Sequence, residues 1–146
     1  MKRFALVLAA LLLTGMVFAQ PAKNAGSEAM AAFIAEASQA GWLQIAPADA
    51  FDFIEQVEPF VLDVRRPDEF ATGHIEGAVN IPLAELDGRI AELPQDLSAP
   101  FLVYCAVGIR GNFGLAYLKM LGYTNLRNIR GGSGAWIGAG LPVVTP

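Results

Sequence analysis

The sequence has little cysteine, histidine or charge. Its 146 residues include one cysteine and one histidine, and charged residues make up 16% of the chain. A single cysteine excludes an internal disulfide. No cluster of His, Cys and carboxylate residues has the spacing of metal ligands, so no metal site is expected. No segment repeats another at a fixed period, and the length suits a single domain with one core.

The N-terminal segment has the pattern of a secretory signal peptide. Two basic residues, Lys2 and Arg3, precede an almost entirely apolar run over residues 4–17, and residues 17–19 provide a small-residue cleavage site. We therefore expect residues 1–19 to be removed. An uncleaved membrane anchor is the alternative, but the apolar run is shorter than the roughly 20 residues that a spanning helix needs.

The mature chain is expected to be acidic and to carry no lipid anchor. A lipoprotein signal would need a cysteine at the cleavage point, whereas the only cysteine is Cys105. Loss of residues 1–19 takes away Lys2 and Arg3 and no acidic residue from a chain whose formal charge is already −4. An acidic protein is a poor binder of nucleic acid. We expect an exported protein, periplasmic or secreted, with no nucleic-acid partner and no stable membrane insertion.

The remaining sequence alternates between strand and helix patterns. Residues 20–41 are predicted to hold a short linker and a helix that begins at Ser27 and ends near Ala40, and residues 42–146 to form the domain. Apolar runs typical of buried strands cover residues 42–45, 60–64, 79–81, 101–104 and 126–129. Helices are predicted over residues 47–57, 67–71, 83–93 and 111–121. The alternation predicts an α/β domain: a doubly wound, five-stranded, mostly parallel sheet flanked by helices on both faces.

One predicted strand leads directly into a loop that contains the only cysteine. Cys105 follows the strand, the residues from Ala106 to Arg110 form the loop, and a helix comes next. Backbone N–H groups of such a loop and of the first helical turn converge on an anion. Gly108 lets the loop curl, and Arg110 adds a fixed positive charge. The context favours a reactive thiolate over an inert core cysteine, which is the commoner fate of a free cysteine.

Three blocks of the sequence resemble the rhodanese homology domain. They are residues 63–70 (DVRRPDEF), residues 73–82 (GHIEGAVNIP) and the cysteine loop, followed by Gly131-Gly132, Trp136 and residues 139–143 (AGLPV). The similarity extends over about residues 42–145 in the family's order and approximate spacing. It implies a rhodanese-like fold and a two-step reaction, in which a cysteine takes up a sulfane sulfur as a persulfide and hands it to a nucleophile.

The resemblance implies a role for each loop residue. Cys105 matches the persulfide carrier, and Ala106, Val107, Gly108, Ile109 and Arg110 match the loop whose backbone donors bind the persulfide. No cofactor is implied. Because the chain has no second thiol, the sulfur must leave to an external acceptor such as cyanide, a small thiol or a protein thiol.

The length and polarity of the loop bear on the substrate. Four residues separate Cys105 from Arg110, whereas phosphatase relatives of this fold have five, so the tighter loop favours sulfur over phosphate or arsenate. Gly111 stands where many relatives have serine, and Ala106 and Val107 are apolar, which points to a persulfide or thiol-bound donor in place of thiosulfate. A non-catalytic sulfur-binding or partner-docking module and a cysteine-based phosphatase or arsenate reductase are the alternative functions.

Four polar residues are predicted to support the site. Asp63, Arg65 and Glu69 are interpreted as a salt-bridged turn that holds neighbouring loops, with a charge relay as the alternative. His74 is the only histidine and could be a general base for Cys105. A role in holding backbone groups is favoured, because a thiolate stabilised by its loop needs no base.

Overall fold

The computed structural model of the chain describes residues 23–39 and 43–145. The predicted signal peptide over residues 1–19 and Trp42, the first residue of a predicted strand, lie outside the described residues. Within the described part, no helix is both long enough and apolar enough to cross a membrane.

The described strands form one sheet in which every neighbouring pair is parallel. The strands are β1 (Gln44–Ile45), β2 (Phe60–Asp63), β3 (Val79–Asn80), β4 (Phe101–Tyr104) and β5 (Leu126–Ile129). Their order across the sheet is β1-β5-β4-β2-β3. β4 lies at the centre, and all four of its residues are buried. The prediction of a five-stranded parallel sheet is confirmed, and the carboxyl ends of all the strands meet at one edge.

Helices connect the strands along the described chain. They are α1 (Ala25–Ala37), α2 (Pro47–Val57), α3 (Pro67–Ala71), the 3₁₀ helices Leu83–Glu85 and Asp87–Glu92, α4 (Ile109–Met120) and α5 (Gly132–Gly138). The bounds of α2 and α3 agree with those predicted, because a proline at the first turn marks each start.

Several predicted helix bounds were wrong. α1 is capped by Asn24, since the Asn24 side chain accepts the Ser27 N–H, and it ends at Ala37. The segment predicted as one helix over residues 83–93 is two 3₁₀ helices, and the second is kinked where the backbone of Arg89 leaves the helical region. α4 begins at Ile109, two residues before its predicted start, and α5 occupies a segment for which no helix was predicted.

Each face of the sheet has its own apolar core. On one face, residues of α1, α4 and the 3₁₀ segment pack against alternate residues of the strands. This core includes Leu62, Val64 and Val103 from the sheet and Leu115 and Leu118 from α4. On the other face, residues of α2 and α5 pack against the sheet. This core includes Val61, Leu102 and Tyr104 from the strands, Ala50 from α2 and Trp136 from α5. Successive residues of β2 and β4 point to opposite faces, which explains their continuous apolar sequence.

Candidate active site

Cys105 lies at the carboxyl end of the central strand β4, in the loop that precedes α4. Its side chain is fully buried. The sulfur atom accepts a hydrogen bond from the backbone N–H of Gly108, with 3.1 Å between N and Sγ. Gly108 has a φ of 91°, a left-handed conformation that glycine adopts without strain. The loop therefore curls back over the sulfur at Gly108, the residue that was predicted to let it curl.

The first turn of α4 begins directly after Gly108, the residue whose N–H contacts the sulfur. The carbonyl of Gly108 accepts the N–H of Asn112 at 3.1 Å. The N–H groups of Ile109, Arg110 and Gly111 precede that bond and have no partner within the helix, as at any helix start. Together with the helix dipole, these donors favour a negative charge at the loop, such as a thiolate or a persulfide.

Helix α5 holds the loop from its other side. The N–H groups of Ser133 and Gly134 donate to the carbonyls of Cys105 and Ala106, at 2.7 and 2.9 Å. A Cβ atom on Gly132 would lie 2.1 Å from the Cys105 carbonyl oxygen, so only glycine permits this approach. In a trans peptide the N–H points opposite to the C=O. The N–H groups of Ala106 and Val107, which share peptide units with these two carbonyls, therefore point away from α5.

Arg110, at the end of the loop, is held by Glu69 of α3. Its two terminal nitrogens donate to the two carboxylate oxygens of Glu69, both at 2.7 Å. The Arg110 hydrogen bond lowers the pKa of Glu69 from 4.5 to about 2. The pKa of the Arg110 guanidinium is raised, chiefly by Glu69 and to a smaller extent by Cys105. The Arg110 side chain is 33% exposed, so it remains accessible to an incoming anion.

Glu69 does not join the salt-bridged turn that was predicted for it with Asp63 and Arg65, because it pairs with Arg110. Asp63 and Arg65 form a buried bidentate pair, with Nη2 of Arg65 2.6 Å from Oδ2 of Asp63. Burial acts to lower the pKa of Arg65, but the hydrogen bonds and charge of Asp63 outweigh it and the pKa is raised. Arg65 also donates to the Gly73 carbonyl at 2.9 Å and the Ser133 hydroxyl at 3.4 Å. The Asp63–Arg65 pair thus ties the end of β2 to the loop at Gly73 and to α5.

His74 is engaged away from the cysteine loop. Its Nδ1 lies 3.2 Å from the Phe70 carbonyl oxygen, and its ring stacks on the Phe70 ring with 3.7 Å between centroids. Its backbone N–H and C=O pair with Val144 at 2.9 and 2.8 Å. These contacts give His74 a structural part in joining α3 to the C-terminal segment.

The residues that hold the loop from behind were not predicted from the sequence. Ser133 and Gly134 bind its carbonyls, and Asn128 of β5 donates to the Gly108 carbonyl at 3.0 Å. The sequence does contain a signal for Asn128. It is a polar residue in a predicted strand shortly before Gly131-Gly132. A polar side chain that is buried in an inner strand is expected to have hydrogen-bond partners.

The fold and the loop define a class of protein: an α/β domain that presents one buried thiol among backbone donors and one arginine. Residues 46–139 match the family described as Rhodanese-like domain. The chain is 38% identical over 86 residues to a sulfurtransferase of Allochromatium vinosum, a stretch covering 59% of this chain and 78% of that protein. It is 37% identical over 70 residues to a thiosulfate sulfurtransferase of Escherichia coli K12, covering 48% of this chain and 67% of that one.

A solved structure gives the same result. The crystal structure of a rhodanese-related protein from Thermoplasma volcanium shares 35% identity, with a TM-score of 0.65, and the match covers 72% of this chain and 100% of that one. The chain therefore belongs to the rhodanese-like domain family. Its curated relatives include proteins named sulfurtransferases.

The Glu69–Arg110 pair predicts a pH-dependent stability. The pKa of Glu69 is about 2 in the folded protein and 4.5 as its ordinary value, so its contribution is complete above about pH 4.5 and is lost as the pH falls towards 2. Glu69→Gln is expected to lower the free energy of unfolding by about 1 kcal/mol at neutral pH, because the pair is partly exposed. Denaturant titrations should show the difference from wild type shrinking between pH 4.5 and 2.

Asp68→Asn is the matched control for that series. Asp68 neighbours Glu69 but pairs with the exposed Arg66, and its side chain is 69% exposed. We expect this variant to match wild type throughout the pH series. A Glu69→Gln difference that stays constant down to the lowest pH would contradict the pairing.

Proposed function

We propose that this protein is a sulfurtransferase in which Cys105 takes a sulfane sulfur from a donor, carries it as a persulfide and passes it to a thiophilic acceptor. The observation that carries the proposal is the hydrogen bond from the Gly108 N–H to the buried Cys105 sulfur, 3.1 Å long, in a loop that opens α4. The match to sulfurtransferase relatives supports the same chemistry.

The reaction consists of two displacements at sulfur. In the first, the Cys105 thiolate attacks the outer sulfur of the donor, a new S–S bond forms, and the electron pair of the old bond leaves with sulfite or with the donor's thiolate. In the second, the acceptor attacks the outer sulfur of the persulfide and the Cys105 thiolate is released. Electrons balance within each step. The loop N–H groups and the start of α4 stabilise the negative charge of both sulfur anions.

The donor is proposed to bind beside Arg110. The guanidinium orients an anionic donor, and the N–H groups of the residues from Ala106 to Arg110 bind the transferred sulfur. A cavity of about 380 Å³ adjoins this arginine, lined by Val64, Arg66, Pro82, Leu83, Ala84 and Arg110. Val107 and Ile109 are each 63% exposed on the loop. The charge of Arg110 suits an anionic donor such as thiosulfate or a persulfide, and the exposed apolar side chains favour the persulfide. The proposed acceptor is cyanide, a small thiol or a protein thiol.

Intact mass spectrometry tests the proposal. The purified protein is expected to gain the mass of one sulfur atom after incubation with thiosulfate or with cysteine persulfide. Cyanide should remove that mass and yield an equal amount of thiocyanate. Prior alkylation with iodoacetamide is the control, because it blocks the only cysteine. A persulfide that forms and is not transferred would indicate a sulfur-binding module, and no uptake from any donor would refute the sulfurtransferase.

We also propose that the protein is exported and that residues 1–19 are removed. The support is the basic start at Lys2 and Arg3 followed by an apolar run. The same mass spectrum decides this point when the full gene is expressed and the periplasmic fraction is purified. The measured mass should be that of a chain that begins at Gln20. A mass that includes Met1 in that fraction would contradict cleavage.

A further inference from the structure

The side chain of Asn128 is fully buried next to the cysteine loop. It lies in β5, between β1 and β4, where it pairs with Gln44 on one side and Val103 on the other. A buried amide is costly unless its polar atoms have partners. Its hydrogen bonds therefore show what this side chain does.

The Asn128 amide acts as a donor. Its Nδ2 donates to the Gly108 carbonyl at 3.0 Å and to Oδ1 of Asn112 at 2.6 Å, and that oxygen also accepts from Nε2 of Gln44 at 2.5 Å. Its Oδ1 has no partner among the described residues. Reversing the amide would place an oxygen against the Gly108 carbonyl oxygen, so the orientation follows from the backbone. Both donors are used and the acceptor is not.

The residue that Asn128 binds is the one that contacts the sulfur. The N–H of Gly108 donates to Cys105 Sγ at 3.1 Å, while its carbonyl receives Asn128. On its other side Gly108 is confined, because a Cβ there would lie 3.3 Å from the backbone nitrogen of Gly131. Loss of the Asn128 donor would leave Gly108 freer to turn and would weaken its bond to the sulfur.

Gly111 leaves the space that Asn128 occupies. A Cβ atom on Gly111 would lie 2.2 Å from Oδ1 and 3.0 Å from Cγ of Asn128. Glycine lowers helix stability relative to alanine, so its presence inside α4 has a cost that this contact explains. Any side chain at residue 111 would displace the buried amide and break its bond to Gly108.

We propose that Asn128 is a positioning residue for sulfur transfer. Its amide holds Gly108 so that the Gly108 N–H points at the Cys105 sulfur, and Gly111 provides the room it needs. This inference rests on the proposed function, in which that N–H stabilises the thiolate and the persulfide. Asn128 itself lies behind the loop and acts through Gly108.

Asn128→Leu removes the donors and keeps a side chain of similar size. We expect the rate of Cys105 alkylation by iodoacetamide at neutral pH to fall about fivefold, the equivalent of one ordinary hydrogen bond. The kcat of sulfur transfer should fall by a similar factor with KM little changed, because the donor binds at Arg110. The chain has one cysteine, so alkylation reports on Cys105 alone. An unchanged rate in a folded variant would overturn the proposal, and Asn128→Ala serves if the leucine prevents folding.

Asn80→Ala is the matched control. The Asn80 amide nitrogen likewise makes two hydrogen bonds, here to the backbone carbonyls of Asp63 at 3.0 Å and Arg65 at 2.9 Å, and it donates to no group of the cysteine loop. We expect it to lower stability and to leave the alkylation rate within about twofold of wild type. Equal loss of reactivity in both variants would assign the effect to general loosening and overturn the proposal.

A double variant separates steric from positioning effects. Gly111→Ala should lower both stability and alkylation rate, because its Cβ displaces Asn128. Adding Asn128→Ala should restore the stability, since the Cβ then has room, and leave alkylation slow, since Gly108 still lacks its donor. Recovery of the wild-type alkylation rate would overturn the proposal. Alkylation needs no sulfur donor, so it tests this inference even if the wild-type protein takes up no sulfur, which would refute the proposed function alone.

Discussion

Cys105→Ser is expected to lower the rate of sulfur transfer at least about a thousandfold, because a serine hydroxyl is not ionised near neutral pH and cannot form the S–S bond. The Cys105 side chain is fully buried, and its sulfur accepts a hydrogen bond from the Gly108 N–H. A serine oxygen is of similar size and accepts the same bond. The variant should therefore fold as wild type does.

Three measurements on the serine variant check this result. Thiocyanate formation from cyanide gives the rate, and intact mass after incubation with donor shows whether sulfur is bound. Thermal unfolding confirms that the fold is retained. Sulfur uptake by the variant at the wild-type level would show that the sulfur is not held on Cys105 and would refute the covalent mechanism.

Gly132→Ala is expected to lower the free energy of unfolding by at least about 3 kcal/mol. A Cβ there would lie 2.1 Å from the Cys105 carbonyl oxygen and 2.7 Å from the Ala106 carbonyl carbon, and both are backbone atoms that cannot move aside locally. The φ of Gly132 is 60°, which adds strain for any other residue. Relief requires α5 to move away from the loop, which breaks the bond from the Ser133 N–H to the Cys105 carbonyl.

Gly138→Ala is the control for this substitution. Gly138 lies in the same helix α5, and a Cβ there would meet no atom within 4 Å. We expect its stability to equal or slightly exceed that of wild type, because alanine favours helix. Denaturant unfolding measures both variants. Equal losses in the two would show that the loop contact of Gly132 does not matter. Sulfur transfer should fall only in the Gly132 variant.

Much of the fold could be predicted because its signals are local. The bounds of β4 and β5 agree with the apolar runs over residues 101–104 and 126–129, and a proline marks the start of α2 and of α3. The two 3₁₀ helices were predicted as one helix over residues 83–93, and the kink at Arg89 depends on that residue's backbone angles. The sequence does not show those angles.

The residues of the cysteine loop could be predicted from the sequence, but the side chains that hold the loop could not. Its residues, its length and its place between a strand and a helix are properties of consecutive sequence. The partners that shape it are distant: Glu69 is 41 residues from Arg110, and Asn128 is 20 residues from Gly108. Glu69 was therefore assigned to the nearby Asp63 and Arg65, although it faces the loop.

The α/β alternation, the position of the one cysteine at a strand end and the family resemblance could all be read from consecutive residues. These depend on residue order and short-range periodicity. Which side chains hold the loop depends on how the chain folds. Parallel strands require long crossovers, so residues far apart in the chain meet at one edge of the sheet. Asn128 beneath Gly108 and Glu69 on Arg110 are results of that crossing and not of any local pattern.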